Sequence, residues 1–442
     1  MTIKGILKDN AVSNGIYFLL ARKKAVKMLE ERGNWGQMQR QWLADILNYA
    51  RNNSAYYGKY INDDITADTA ASVLKTLPLL TKDIIRKEQA GIYSKEITAE
   101  WSDWANTGGS TGEPLKFPRK CSNIWNEPIC QFLTYSYLND WKGMGVTDTI
   151  VSISGCRIEQ DRLHKRVYYN KARNFPWGRY DFSTLYMTDD NMPYYVEQIN
   201  STKATYMRGY SAGVLTLAQY IRNHGIPLKI RLKGIYLTSE AFAEASRRYI
   251  SEVFKCPVIG QYGHTEMSVY AYQHKDDSVY ECLPFYGYTE IIDGSGQHVA
   301  EGESGEIVVT GFNQTGLPFI RYKTGDIATY RGTDNGVVMI DAIQGRTVDY
   351  LVDRSGKKVF LTGAIFGGHI KAFNHIAQWQ LVQSIKGKVR VDVIKGDDYS
   401  NEVEDEITRF FADFDLEAEL NYVDSIKKQP NGKQKFLIQE IK

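Results

Sequence analysis

Apolar and polar positions follow more than one period along this chain, and the changes of period divide it. Over the first hundred residues the spacing is helical. Leu43, Ile46, Leu47 and Ala50 fall at i, i+3, i+4 and i+7, one apolar face of a helix. In LPLLTKDIIRKE, Thr81 reads as an N-cap with Asp83 in the first turn of a second helix. Further on, short apolar runs alternate with helical patterns. Thr149–Ser154, Ala204–Gly209, Gly234–Ser239 and Pro257–Gly263 read as strands. Val214, Leu217, Ala218 and Ile221 mark a helix that Gly225 ends at its C′ position, and another helix runs through Arg247 to Val253. Such alternation predicts a largely parallel sheet covered by helices. From Tyr288 onward strands dominate, including Gly305–Gly311 (GEIVVTG), which predicts a β subdomain.

The last hundred residues change again. Trp379–Ile385, Val389–Ile394 and Glu417–Val423 read as strands, and Val403, Ile407, Phe410, Phe411 and Phe414 form the apolar face of a helix. This is a small α+β module with its own core, joined near Gln344 to Asp349. The expected class is therefore α/β. A large N-terminal domain, residues 1–344, carries mostly parallel helix-covered sheets plus the β subdomain, with a helical region over about 1–100. A small, mobile C-terminal α+β domain occupies 345–442.

Composition narrows the function classes. A chain of 442 residues exceeds one ordinary core, and 43% hydrophobic with 24% charged residues describes a folded protein. A net charge of +2 gives no reason to expect nucleic acid or an anionic membrane as the main partner. Cys121, Cys130, Cys156, Cys256 and Cys282 are scattered, with no CxxC pair, which fits a reducing cytosol and a cytoplasmic protein. The apolar run Gly15–Ala21 is too short to span a bilayer, and Arg22, Lys23 and Lys24 follow at once, with no small-residue cleavage site after it. Cys256, His264, His274 and Cys282 are soft ligands within a short span, but their spacing matches no standard zinc pattern.

Five stretches carry candidate chemistry. Asn106–Pro118, NTGGSTGEPLKFP, interleaves Gly108, Gly109 and Gly112 with the hydroxyls of Thr107, Ser110 and Thr111. Glycines let successive N–H groups point into one concavity, which suits phosphate oxygens; a polar surface turn has the same composition. No Gly-Lys-Ser/Thr follows, so it is not a Walker loop and a simple NTP hydrolase is not indicated. Gln261–Met267 (QYGHTEM) ends a predicted strand with a carboxylate, Glu266. In Phe319–Asp326 (FIRYKTGD), Asp326 offers an anionic acceptor to a pair of hydroxyls. Gly345–Asp349 (GRTVD) falls at the junction, and Pro430–Lys433 (PNGK) lies near the C-terminus.

In this order, over about Ala50 to Lys442, these motifs resemble those of the adenylate-forming enzymes, the superfamily of acyl-CoA synthetases, luciferases and adenylation domains. The chain is most similar to the phenylacetate–CoA ligase branch and its relatives in capsular polysaccharide gene clusters. The resemblance implies that Thr107, Gly108, Gly109, Ser110, Thr111 and Gly112 wrap the phosphates of ATP. It places Ser239, Glu240 and Ala241 in a loop at adenine, where relatives often have Gly-Ala-Glu-Pro. Tyr262 would stack on adenine with Gly263 and His264 beside it, Thr265 would bond the adenylate phosphate, and Glu266 would help hold Mg2+. Asp326 would take the ribose hydroxyls, and Arg346 would reach toward the ribose. Val348 and Asp349 fall at the hinge, with Val348 where relatives usually carry a charge. Lys433 would offset charge as a carboxylate attacks the α-phosphate. Lys427, Lys428, Lys433 and Lys435 also read as a solvated basic end.

The implied activity is that of an AMP-forming carboxylate ligase. A small-molecule carboxylic acid becomes an acyl-adenylate with release of pyrophosphate, and the acyl group passes to a thiol such as coenzyme A. Leu351–Gly368 departs from the thiol-acceptor region of the CoA ligases. The capsular relatives leave open transfer of an acyl or aminoacyl group to a sugar-linked amine or hydroxyl. A catalytically silent nucleotide-binding protein is the remaining reading. The aromatic run Phe175–Phe182 suits an aryl pocket or an ordinary core, and a dimer is left open.

Overall fold

A computed structural model describes residues 11–107, 115–122, 125–145, 147–171, 180–240, 242, 244–344, 350–360, 372, 375–396, 399–426, 435 and 437–441. In chain order the helices are α1 (Ala11–Glu30), α2 (Trp35–Asn53), α3 (Ala70–Thr76), α4 (Lys82–Glu88), α5 (Asn126–Leu138), α6 (Gln160–His164), α7 (Met192–Ser201), α8 (Ser211–Asn223), α9 (Glu244–Phe254) and α10 (Asn401–Ala412). The strands are β1 (Trp104–Asn106), β2 (Lys116–Pro118), β3 (Ile150–Ser154), β4 (Tyr169–Lys171), β5 (Tyr180–Ser183), β6 (Tyr206–Tyr210), β7 (Gly234–Thr238), β8 (Val258–Gly263), β9 (Tyr270–Gln273), β10 (Tyr280–Cys282), β11 (Gly287–Ile292), β12 (Ser304–Gly311), β13 (Tyr322–Asp334) and β14 (Val337–Gln344). The C-terminal module adds β15 (Tyr350–Val352), β16 (Lys358–Phe360), β17 (Ile376–Gln383), β18 (Lys388–Lys395), β19 (Glu417–Tyr422) and β20 (Leu437–Gln439).

Two compact units form: a first built from Met1–Lys23, Phe132–Gly260 and Asp349–Lys442, and a second from Lys24–Gln131 and Gln261–Val348. In the first, β7, β6, β3 and β5 are parallel neighbours, with β4 antiparallel at the edge. One face of this sheet, through Val151, Ile153, Met207, Ile235 and Leu237, packs under the apolar faces of α7, α8 and α9. Val214, Leu217, Ala218 and Ile221 all turn inward, as their spacing predicts. Gly225 takes φ +60° just beyond the end of α8, a conformation a side chain would strain.

The C-terminal module of the first unit has a separate core. Its sheet runs β19-β18-β17-β20, with the central β17–β18 pair antiparallel and both outer pairs parallel. Val403, Ile407 and Phe411 of α10 bury against Leu381, Val391 and Val393. Ser246 of α9 donates to the carbonyl of Ala377 on β17.

The second unit is antiparallel, in the order β11-β12-β13-β14-β10-β9, with Gln261–Gly263 of β8 paired antiparallel to β9. Leu43, Ile46, Leu47 and Ala50 of α2 are buried in its core together with Ile307, Val309 and Phe319. Thr81 caps α4, its hydroxyl accepting from the Ile84 N–H at 3.2 Å. The mixed α/β class, the β-rich part and the separate C-terminal sheet all match the expectation from the sequence. No described helix is long and apolar enough to cross a membrane.

Candidate active site

The QYGHTEM and KTGD segments meet in the second unit. Strand β8 delivers Tyr262 and Gly263, and a turn through His264, Thr265 and Glu266 follows. Tyr262 Oη donates to Asp326 Oδ2 at 2.8 Å. Asp326 sits on β13 just after Gly325, whose φ of +81° a larger residue would adopt at a cost. Thr324 fixes that bend: its Oγ1 accepts from the Asp326 N–H at 3.1 Å and donates to the Ile307 carbonyl at 2.8 Å. Burial and the Asp326 charge push the Tyr262 phenol well up, so it stays a neutral donor.

Glu266 is 5% exposed. Tyr322 Oη donates to its Oε1 at 3.0 Å, and His264 Nδ1 stands 3.3 Å from its Oε2. Burial alone would raise this carboxyl, but the His264 ring, the backbone amide and the Tyr322 hydroxyl outweigh it and hold the carboxyl at about 2. It is an anion in a nearly dry setting. The His264 contact is near enough for an ion pair but is not aligned as a hydrogen bond, and the ring lies edge-on to Tyr322 at 6.3 Å. Thr265, between them, is exposed, and Met267 after them takes φ +55°.

Thr107 is buried at the base of its loop, where its hydroxyl accepts from the Leu115 N–H at 3.0 Å and closes the β1–β2 hairpin. In the first unit, Ser239 follows β7 at φ +70°. Glu240 Oε2 accepts from the Ala212 N–H at 3.1 Å and from Ser211 Oγ at 3.3 Å, placing a carboxylate on the N-terminal turn of α8. Gly108, Gly109, Ser110, Thr111, Gly112, Ala241, Arg346, Val348, Asp349 and Lys433 lie outside the described residues, as does most of Phe175–Phe182.

Sequence reasoning passed over residues that build the site. Arg321 is buried at φ +48°, pairs with both Glu290 oxygens at 3.1 and 3.2 Å, and donates to the carbonyls of Lys75 and Leu77. With Tyr322 and Thr324 it makes FIRYKTGD a supporting frame as well as a source of Asp326. The signal was present as adjacency within one motif. Among the described residues no three His, Cys, Asp or Glu side chains gather into a metal-holding group. Cys256 lies in the apolar core of the first unit, Cys282 in that of the second, and His274 is engaged by Glu281 at 3.1 Å.

The backbone is similar to that of a solved 2-hydroxyisobutyryl-CoA ligase in the postadenylation state. The TM-score is 0.63 at 14% identity, over 90% of this chain and 88% of that one. A phenylacetate–coenzyme A ligase of Pseudomonas putida is 32% identical over 160 residues, 34% of this chain and 35% of that protein. The first likeness shows the fold, that of the adenylate-forming enzymes, and the YGHTE and TGD turns adjoin within it. Residues 351–440 match the family model described as the CapK C-terminal domain. The chain as a whole is similar to Protein CapK of Staphylococcus aureus, 26% identical over 443 residues, 94% of this chain and 92% of that protein.

Proposed function

We propose that this chain activates a small-molecule carboxylic acid with ATP and passes the acyl group to an acceptor. In the first step a carboxylate oxygen attacks the α-phosphorus, the bond to the bridging oxygen breaks, and pyrophosphate leaves. The observation that carries the reading is the Tyr262–Asp326 pair beside the anionic Glu266. Tyr262 holds the Asp326 carboxylate in one orientation, so its acceptor directions are preset for the two ribose hydroxyls. Asp326 thereby fixes the nucleoside, and Thr265, exposed at the turn, is the hydroxyl donor for the adenylate phosphate.

A carboxylate kept ionised while buried fits a hard divalent cation. Glu266 would hold Mg2+, which when bound offsets phosphate charge; His264 and Tyr322 keep Glu266 charged and oriented. In this reading the glycine-rich loop Gly108–Gly112 would hold the phosphates of ATP, Ala241 would serve adenine, Arg346 the ribose, and Lys433 would offset charge on the attacked phosphate. Residues 345–442 act as a lid on the large domain, residues 1–344, pivoting at Val348 and Asp349 between the half-reactions.

Coenzyme A is the acceptor in the first reading. The second is a sugar-linked amine or hydroxyl in capsular polysaccharide biosynthesis, supported by the departure of Leu351–Gly368 from the thiol-acceptor region. The protein works in the cytoplasm, consistent with five free cysteines. The test is acid-dependent exchange of labelled pyrophosphate into ATP across aryl, fatty, hydroxy and amino acids. Exchange that is lost in Asp326→Ala supports the reading; none with any acid class makes the chain a silent nucleotide binder.

A further inference from the structure

One motif of the sequence takes no part in the proposed chemistry: the apolar run Gly15–Ala21 with Arg22 and Lys23 directly behind it. It lies in α1, and the helix sorts it into two faces. Phe18 and Ala21 are fully buried, the Phe18 ring lying 6.2 Å from that of Phe132 on α5. Ile16, Leu19 and Leu20 are 56%, 53% and 44% exposed. At about 3.6 residues per turn these three and Lys23 fall within an arc of about 100°, opposite Phe18 and Ala21. Among the described residues the other exposed large aliphatic side chains are Val26, farther along α1, and Ile385. The outer face of α1 is therefore a cluster, not the usual scatter of single apolar residues on a surface.

Charge decides what fits this face. No acidic residue occurs between Ala11 and Leu29. Arg22 flanks the arc and Lys23 lies within it; both are exposed, and neither forms an ion pair among the described residues. A second copy seated here would either oppose the two basic ends or lay each across the partner's apolar end. Both arrangements bury cations without a counter-charge. Peptide partners enter grooves, whereas these side chains project from the outer side of a single helix. An anionic lipid surface satisfies both zones at once. Aliphatic side chains enter the boundary of headgroups and acyl chains while the cations stay at the phosphate level. Ile16 and Lys23 are about 10 Å apart along the axis, so a helix lying in the interface presents both zones together. The net charge of the whole chain is only +2, so the attraction is local to this helix.

We propose that the outer face of α1 from Ile16 to Lys23 docks this protein reversibly on an anionic lipid bilayer. No described helix is long and apolar enough to cross one, and three aliphatic side chains with two cations make a peripheral, salt-sensitive contact. The docking is independent of the adenylate chemistry and stands or falls without it.

The test is co-sedimentation of the intact chain with two kinds of vesicle, phosphatidylcholine alone and phosphatidylcholine with about one third phosphatidylglycerol. Binding to the mixed vesicles is expected to be at least about tenfold stronger and to weaken as salt is raised, each cation contributing a factor of about five. Arg22→Gln with Lys23→Gln should then lose on the order of 25-fold. Ile16→Ser, Leu19→Ser and Leu20→Ser combined should abolish binding, and Lys229→Gln, an exposed charge elsewhere, should leave it unchanged. Should the triple variant fail to fold, the paired Gln variant still decides. A native chain that ignores the mixed vesicles at low salt overturns the proposal, as does binding undiminished in the folded Gln pair. A native dimer that becomes a monomer in the triple variant, without lipid binding, overturns it too and makes the face a contact between copies.

Discussion

Tyr262 Oη and Asp326 Oδ2, 64 residues apart in sequence, share a 2.8 Å hydrogen bond that ties the last turn of β8 to the TGD bend of β13. The bond joins two motifs that act on different parts of one nucleotide in the proposed reaction. It predicts a division of labour. Asp326→Ala removes the ribose acceptor and should weaken ATP by at least about tenfold, since bonds to charged groups contribute roughly 1.5–3 kcal/mol each. It should also abolish preference for ATP over 2′-deoxy ATP. Tyr262→Phe leaves the acceptor but frees its orientation, so affinity should fall by a smaller factor while the preference survives. Calorimetry with both nucleotides checks this, and equal preference in wild type and Asp326→Ala would remove Asp326 from the ribose.

Glu266 supplies a pH signature. Its folded pKa is about 2 against 4.5 for the free group, so the folded state binds its proton less readily than the unfolded chain. The stability this confers is therefore complete above about pH 4.5 and is lost as pH falls through about 2. A shift of that size corresponds to on the order of 3 kcal/mol at 1.36 kcal/mol per unit. Urea midpoints of wild type and Glu266→Gln should diverge at neutral pH and converge between pH 4.5 and 2. Parallel curves over that window would show that the carboxylate is not held by His264 and Tyr322.

Arg321 and Glu290 form a buried pair whose loss should be asymmetric. Arg321→Met strands the Glu290 carboxylate and frees the Lys75 and Leu77 carbonyls, which should cost about 3–5 kcal/mol. The double variant Arg321→Met with Glu290→Leu should regain a substantial part. Chemical denaturation of wild type, both single variants and the double variant gives the coupling energy directly, and a double variant no better than Arg321→Met would locate the cost in the unpaired Lys75 and Leu77 carbonyls instead.

Local chemistry made much of the fold legible in the sequence. The inward faces of α2, α8 and α10 follow from 3.6-residue spacing, and the Thr81 cap and Gly225 stop from backbone preferences. The association of Tyr262 with Asp326 was not legible from either motif alone, because a hydrogen bond across 64 residues leaves no local period. Arg321 was hidden for a related reason. Its partners Glu290, Lys75 and Leu77 lie 31 to 246 residues away, so nothing local to the motif marks this arginine as structural.

Lys433 separates catalysis from a solvated basic end. Attack of a carboxylate on the α-phosphorus brings two anions together, and the transition state gathers charge on the non-bridging oxygens. A single ammonium placed there lowers that barrier selectively, because its benefit grows as the charge develops. Lys433→Ala should then slow acid-dependent pyrophosphate exchange by on the order of 100-fold, with ATP affinity changed far less. Lys427→Ala, Lys428→Ala and Lys435→Ala should leave exchange within about twofold if their charges are merely solvated. The second half-reaction supplies the control. Acyl transfer from preformed acyl-adenylate needs no charge relief at the α-phosphorus of ATP, so Lys433→Ala should retain it. Loss of both half-reactions together, in a protein with an unchanged melting temperature, would mean that Lys433 acts on something other than adenylate formation.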